Sequence, residues 1–341
     1  MSRPNHILVI RLSALGDVAM VLPVIRAFIH QYPKVKITML TRASYAALFK
    51  DLINVEILSA DLMGVHKGVF GLYKLSKQIR KLKVDAVADL HNVLRTNILK
   101  TFLFNIPVLQ IDKGRAEKRA LINGEKFQQL KTTFQRYENV FEELGFPLDL
   151  SNPEFPKREK LNHDITNFIG SENKNWIGIA PFAAHAGKMY PLDLMKSVIE
   201  SLSEKNKIIL FGGGKSETEQ LNKIASKYLN VVNVANRFNL SEELNIISNL
   251  DVMISMDSGN AHLAAMMGIR VITLWGVTHP YAGFYPFNQD INDAILSDRK
   301  KYPKIPTSIY GNKMPEGYED AMRTISPESI IQKVNYLTRI N

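Results

Sequence analysis

Three places in the 341-residue chain combine residue types and spacing that could do chemistry. The first is Arg11-Leu12-Ser13-Ala14-Leu15-Gly16-Asp17, which follows the apolar run His6-Ile7-Leu8-Val9-Ile10. A carboxylate after a buried strand, beside a glycine and above a helix start, can face the crevice where α/β proteins hold ligands. Asp17 there could face that crevice, and it equally suits a helix cap. The second is Met256-Asp257-Ser258-Gly259-Asn260-Ala261-His262, again after an apolar run, Val252-Met253-Ile254-Ser255. Asp257 and Ser258 can cap a helix beginning near Asn260, whose free amides and positive dipole end favour an anion or ribose phosphate. Gly259 lets a ligand approach that backbone. His262 lies nearby, where a buried structural histidine would look the same. The third is Lys188, in the loop Ala183-Ala184-His185-Ala186-Gly187-Lys188-Met189-Tyr190-Pro191. A lysine there can neutralise a departing diphosphate as a mobile point charge, or be an ordinary surface lysine. Gly212-Gly213-Gly214 could admit a ribose or phosphate at Gly213, though a plain strand-to-helix turn has the same composition.

Several chemistries lack their patterns. The first turn holds neither G-x-G-x-x-G nor G-x-x-x-x-G-K-[ST], which argues against an ordinary dinucleotide site or P-loop. His185 and His262 have no acidic partners at zincin spacing, so no metal site is expected. There is no G-x-S-x-G elbow. With zero cysteines the chain has no disulfide and no thiolate nucleophile.

The elements that must position these residues alternate. Strands are predicted at 6–10, 36–40, 55–58 and 84–90, with helices at 18–31, 45–50 and 72–82 between them. The stretch from Lys113 to Arg136 is basic, a helix ends at Gly145, and Pro147, Pro153 and Pro156 mark a linker. The alternation restarts at Trp176 and runs to a last helix from Pro327 to Leu337. Short strands separated by helices predict an α/β protein with parallel, doubly wound sheets. Two such halves about one proline-rich join predict two Rossmann-like domains facing a cleft.

Hydrophobic content of 45% and charged content of 22% are those of a globular protein. No apolar run is long enough to span a membrane and no signal-peptide pattern opens the chain, so a cytoplasmic protein is expected. The net charge of +10 is uneven. As far as Pro156 there are 22 Lys and Arg against 14 Asp and Glu, so +8 of the excess falls in the first half. Such a half attracts nucleic acid, phospholipid headgroups or a phosphorylated substrate. Nucleic acid is the weakest of these, because no recognisable module interleaves aromatics with the charges.

Taken together, the motifs resemble glycosyltransferase family 9, the ADP-heptose:lipopolysaccharide heptosyltransferases. The resemblance rests on Arg11 to Asp17 with Leu22-Pro23, on Lys188 before Tyr190-Pro191, and on Asp257-Ser258-Gly259 with His262-Leu263-Ala264-Ala265, in that order. It implies a GT-B fold, with an acceptor-binding domain at 1–156, a nucleotide-sugar domain at 157–325 and a C-terminal helix, 326–341, packing back on the first domain. It implies inverting transfer without metal or cofactor. Asp17 would be the base, and Lys188, Asp257, Ser258 and Gly259 would hold the donor, with His262 and Gly213 nearby and Phe238 at the adenine. Ser13, Gly16, His91 and Arg95 would serve the acceptor, and from the charge asymmetry the basic stretch, chiefly Lys113, Arg115, Lys118 and Arg119, is expected to hold the anionic acceptor and the membrane. The expected partners are ADP-heptose and an anionic inner-core glycolipid at the inner face of the cytoplasmic membrane, bound by a peripheral monomer. Three positions depart from the family pattern. Ala183-Ala184 replaces hydroxyl residues, Gly276-Val277-Thr278-His279-Pro280 replaces G-P-T-D-P, and His91-Asn92 replaces Gln-Gly. These leave open a related transferase using another nucleotide sugar, or a nucleotide-sugar-binding protein without catalysis.

Overall fold

The computed structural model describes residues 3–170 and 174–340. The expected outer domain limits, Met1 and Asn341, lie outside them. In chain order the strands are β1 (His6–Ile10), β2 (Lys36–Thr41), β3 (Val55–Ser59), β4 (Ala86–Asp89), β5 (Val108–Gln110), β6 (Trp176–Ala180), β7 (Lys207–Leu210), β8 (Val231–Asn233), β9 (Val252–Met256), β10 (Arg270–Trp275) and β11 (Ala294–Leu296). The helices are α1 (Leu15–Ala19), α2 (Leu22–Gln31), α3 (Gly68–Lys81), α4 (Leu94–Thr101), α5 (Arg115–Ile122), α6 (Thr133–Glu143), α7 (His163–Ile169), α8 (Leu192–Ser203), α9 (Gly214–Ala225), α10 (Leu240–Ile247), α11 (Gly259–Met266) and α12 (Pro327–Ile340).

The chain divides into two compact units. One holds the chain to Lys113 together with Thr132–Glu154, and the other holds Gly114–Lys131 and everything from Phe155. The first has a parallel sheet in the order β3-β2-β1-β4-β5, and the second a parallel sheet in the order β11-β10-β9-β6-β7-β8. β1 and β9 are buried along their whole length, as near-continuous apolar runs in parallel sheets should be. In each sheet the strand order reverses beside its first strand, between β1 and β4 and between β6 and β9. Those reversals are where open α/β sheets bind ligands, outside the strands' carboxyl ends.

Three expectations are corrected. The helix predicted at 18–31 is two, α1 and α2, with Pro23 in the first turn of the second. A proline cannot donate in a helix interior but costs nothing at a helix start, so the chain restarts there. The basic stretch 114–131, expected in the first domain, belongs to the second unit. Leu121 and Leu130 are buried there with Ala282, and the Leu130 amide donates to the Tyr281 carbonyl at 2.9 Å. Its place is decided by two leucines, not by its charge. The C-terminal helix was expected on the first domain, yet its buried residues Ile330, Val334 and Leu337 join the second unit's own core beside α8, β9 and β10. The Tyr190 hydroxyl donates to the Ile325 carbonyl at 2.8 Å just before it, which fixes its approach.

Candidate functional site

In the first unit the reversal between β1 and β4 carries an ion pair. Arg11 is buried; one guanidinium nitrogen donates to the Leu90 carbonyl at 2.7 Å and another lies 2.6 Å from Oδ2 of Asp17. The Ala14 amide donates to the same oxygen at 3.2 Å. The Tyr137 hydroxyl, from α6, donates to the Asp17 carbonyl at 3.3 Å, and burial raises its pKa so that it keeps its proton. At the end of β4 the buried Asp89 shapes the facing turn. It accepts from the amides of His91 and Asn92 at 3.0 and 2.8 Å, and Lys100 stands 2.8 Å from its other oxygen. His91 is thereby held with Nε2 3.5 Å from the Ser13 hydroxyl. Burial, then the charges of Arg11 and Lys113, push its pKa down to about 4, so it is neutral at neutral pH. Ser13, Gly16, Asp17, His91 and Lys113 thus belong to one edge, while Arg95 is exposed on the first turn of α4. Arg115, Lys118 and Arg119 lie on α5 in the second unit, where the Lys118 ammonium is 4.2 Å from the centre of the Phe284 ring.

In the second unit the reversal between β6 and β9 carries another pair. Lys188 Nζ lies 2.9 Å from Oδ2 of Asp257, and the Thr278 hydroxyl donates to that same oxygen at 2.9 Å. The loops are interlocked by glycines. A side chain at Gly311, whose φ is +76°, would collide with the Lys188 stem, and one at Gly276 would collide with the Gly187 carbonyl. The Val277 amide donates to that carbonyl at 2.9 Å. The expected capping by Asp257 or Ser258 is not seen. Asp257 is turned to the lysine, and the Ser258 hydroxyl lies 3.1 Å from that of Ser255, so among the described residues the N-cap Ser258 gives the first amides of α11 no side-chain cap. An uncapped helix start beside a lysine suits an anion. His262 is buried one turn further along α11.

Gly213 precedes α9 in open space, but its amide donates to the Glu217 carboxylate at 2.7 Å, so the helix start already faces an anion of its own. Phe238, half-buried after β8, meets Phe168 edge-on at 5.8 Å, with the Arg237 guanidinium 3.8 Å from the Phe168 ring centre. These residues line an open depression of about 660 Å³ with Asp164, Asn167 and Glu242. Because β9, β6, β7 and β8 are neighbours, Asp257, Lys188, Gly213 and Phe238 follow one another along one sheet edge, which spans about 14 Å at the usual strand spacing.

Reasoning from the sequence missed the residues that hold these groups: Arg11, Asp89, Tyr137 and Thr278. Arg11 and Thr278 stood within the quoted motifs, but pairing Thr278 with Asp257 requires β9 and β10 to be adjacent, which periodicity alone does not state. His279 was noted only as a departure. It is buried, with Nδ1 accepting from the Tyr281 amide, and burial followed by the Arg299 charge pushes its pKa down to about 4.

The model of glycosyltransferase family 9 (heptosyltransferase) matches residues 72–312. The lipopolysaccharide core heptosyltransferase OpsX of Haemophilus influenzae is 25% identical over 287 residues, covering 81% of this chain and 80% of that one. A solved glycosyl transferase family 9 structure from Veillonella parvula superposes with a TM-score of 0.78 at 20% identity, covering 99% of this chain and 98% of that one. The ADP-heptose lps heptosyltransferase II of E. coli does so with a TM-score of 0.70 at 19% identity, covering 97% and 98%. The fold is GT-B, built of two Rossmann-like units.

Proposed function

Because the chain belongs to glycosyltransferase family 9, the heptosyltransferases, we propose that it transfers heptose from ADP-heptose to a sugar of a lipopolysaccharide inner-core acceptor, with inversion at the anomeric carbon. The observation that carries this reading is the Lys188–Asp257–Thr278 cluster beside the uncapped start of α11, at the strand-order reversal of the second sheet. A departing ADP has its diphosphate charge met by the ammonium and the helix amides. Asp17 takes the proton of the acceptor hydroxyl as that oxygen bonds to the anomeric carbon. The carbon's bond to the diphosphate breaks on the opposite face, and its electron pair leaves with ADP. Arg11 holds the carboxylate in place. Ser13, His91, Arg95 and Lys113 orient the anionic acceptor, with Arg115, Lys118 and Arg119 adding positive charge. Phe238 packs on adenine. The enzyme works as a cytoplasmic monomer at the inner face of the membrane.

Calorimetry with ADP-heptose and other nucleotide sugars, together with mass analysis of the product, tests the donor. ADP-heptose is expected to bind most tightly and to be consumed. Tighter binding and turnover of another nucleotide sugar would overturn the donor assignment. Lys188→Ala is expected to weaken ADP and ADP-heptose in parallel by about 1.5–3 kcal/mol, the range of a hydrogen bond to a charged group. An unchanged ADP dissociation constant would remove Lys188 from the site.

A further inference from the structure

We propose that the loop and helix between β3 and β4, residues 61–81, form the surface by which this protein adsorbs to an anionic lipid bilayer. Four apolar side chains around the start of α3 stand in solvent: Met63, Val65, Val69 and Phe70, with Met63 82% and Phe70 86% exposed. The loop that presents them is braced. The Asp61 carboxylate accepts from the Gly64 and Val65 amides at 2.8 and 3.1 Å. The His66 amide donates to the Asp61 carbonyl at 2.8 Å, and the Asp61 amide donates to His66 Nδ1 at 3.1 Å. Leu62 and His66 are buried, and a side chain at Gly71 would strike the His66 backbone, so the glycine lets α3 close onto the loop. Inward Leu62 and His66 therefore hold Met63 and Val65 outward. In water such tips add nothing to the core and favour association.

The stripe continues down α3 at helical spacing through Tyr73, Lys77 and Arg80. Lys77 Nζ lies 4.5 Å from the Tyr73 ring centre, and the Arg80 guanidinium lies 5.0 Å from that of Phe104, another exposed aromatic. Around it Lys67, Lys74, Lys81 and Lys83 are exposed. The one acid between Ala60 and Val84 is Asp61, and its carboxylate is used inside the loop. Protruding apolar and aromatic side chains among cations are what an anionic headgroup layer with acyl chains beneath it attracts. In the parallel sheet β3 lies two strands from β1, so the loop leaves the same carboxyl edge as the Asp17 turn, about 10 Å along it. On the reading given under Proposed function, on which this last point rests, a lipid-linked acceptor would meet the base at the edge that touches the bilayer.

The test uses the full chain and sucrose-loaded vesicles made of equal parts phosphatidylcholine and phosphatidylglycerol, against vesicles of phosphatidylcholine alone. The wild type is expected to sediment with the anionic vesicles. Met63→Ser/Phe70→Ser and Lys74→Glu/Lys77→Glu are each expected to lower its partition at least about tenfold, with circular dichroism and ADP affinity unchanged. If the serine variant fails to fold, Phe70→Trp carries the test, since its emission should shift to the blue when anionic vesicles are added. Wild-type sedimentation by both variants, no wild-type binding to anionic vesicles, or an unshifted emission from the Phe70→Trp variant would overturn the proposal. So would loss of self-association in the ultracentrifuge with vesicle binding intact, which would mark the face as a contact between copies of the chain. The assay needs neither donor nor acceptor. Vesicle binding without heptosyl transfer would overturn only the proposed function, and transfer to a delipidated acceptor without vesicle binding only this surface.

Discussion

The two units carry the same device in opposite senses. Each places a carboxylate and a cation together at the reversal of its sheet, Arg11 with Asp17 in one and Lys188 with Asp257 in the other. In the first unit the cation is the anchored partner: Arg11 is 9% exposed and tied to the Leu90 carbonyl, while Asp17 is 30% exposed. In the second the carboxylate is anchored. Asp257 is 9% exposed and takes the Thr278 hydroxyl, and Lys188 stands further out on a flexible stem. The deeper member is Arg11 in one pair and Asp257 in the other. Each unit therefore presents its shallower group, a carboxylate in one and an ammonium in the other, from a single local plan.

The sharpest way to break this comparison is to neutralise each carboxylate. Asp17→Asn is expected to lower kcat by about 10²–10⁴-fold, the usual worth of a positioned base, with ADP affinity unchanged. Asp257→Asn is expected to act on the fold and the donor instead. Leaving the half-buried Lys188 without its partner is expected to lower stability, read as a lower midpoint in urea, with weaker ADP binding alongside. If both variants lost turnover alone, or stability alone, the two pairs would have the same role.

A smaller effect compares the histidines, one in each unit. His91 and His279 both have pKa values pushed down to about 4, chiefly by burial. An unfolded chain protonates them near the ordinary 6.5. Their contribution is therefore complete above that value, is lost as pH falls from about 6.5 towards 4, and changes no further below. Each accounts for at most about 3 kcal/mol. Urea titrations at several pH values should show stability falling across this window, and His91→Asn and His279→Gln should each flatten the fall in part. A profile unchanged by both variants would show that the acid sensitivity lies elsewhere. The smallest expected effect is at Gly213, where an added methyl group meets open space. Gly213→Ala should alter stability by no more than about 0.5 kcal/mol, and an ADP affinity that also stays constant would place the donor away from that turn.

What could be read from the chain follows from how local its cause is. β1 and β9 are buried on both faces, so their apolar runs name them directly, and the turns after them could be located at the carboxyl ends of those strands. The parallel α/β layout followed from the alternation alone. The triad Lys188, Asp257 and Thr278 did not, because it depends on β6, β9 and β10 lying side by side although β7 and β8 intervene in sequence. Glu217 at the Gly213 amide was hidden for a different reason. A glutamate in the first turn of a helix is common, and only its rotamer decides whether it folds back over the helix start. The stretch 114–131 was misplaced because its charges were weighed and its two leucines were not.

That misplaced stretch bears on how the gene could be recombined. The polypeptide passes between its units at residues 113/114, 131/132 and 154/155, so the proline-rich join is only the last of three crossings. A chimera exchanged at residue 156 would import a foreign 114–131, and with it a foreign Leu121 and Leu130 against the resident Ala282. Likewise, two fragments split at that join would share one apolar cluster and act as a complementing pair. Exchanging one whole unit for its counterpart therefore requires three junctions.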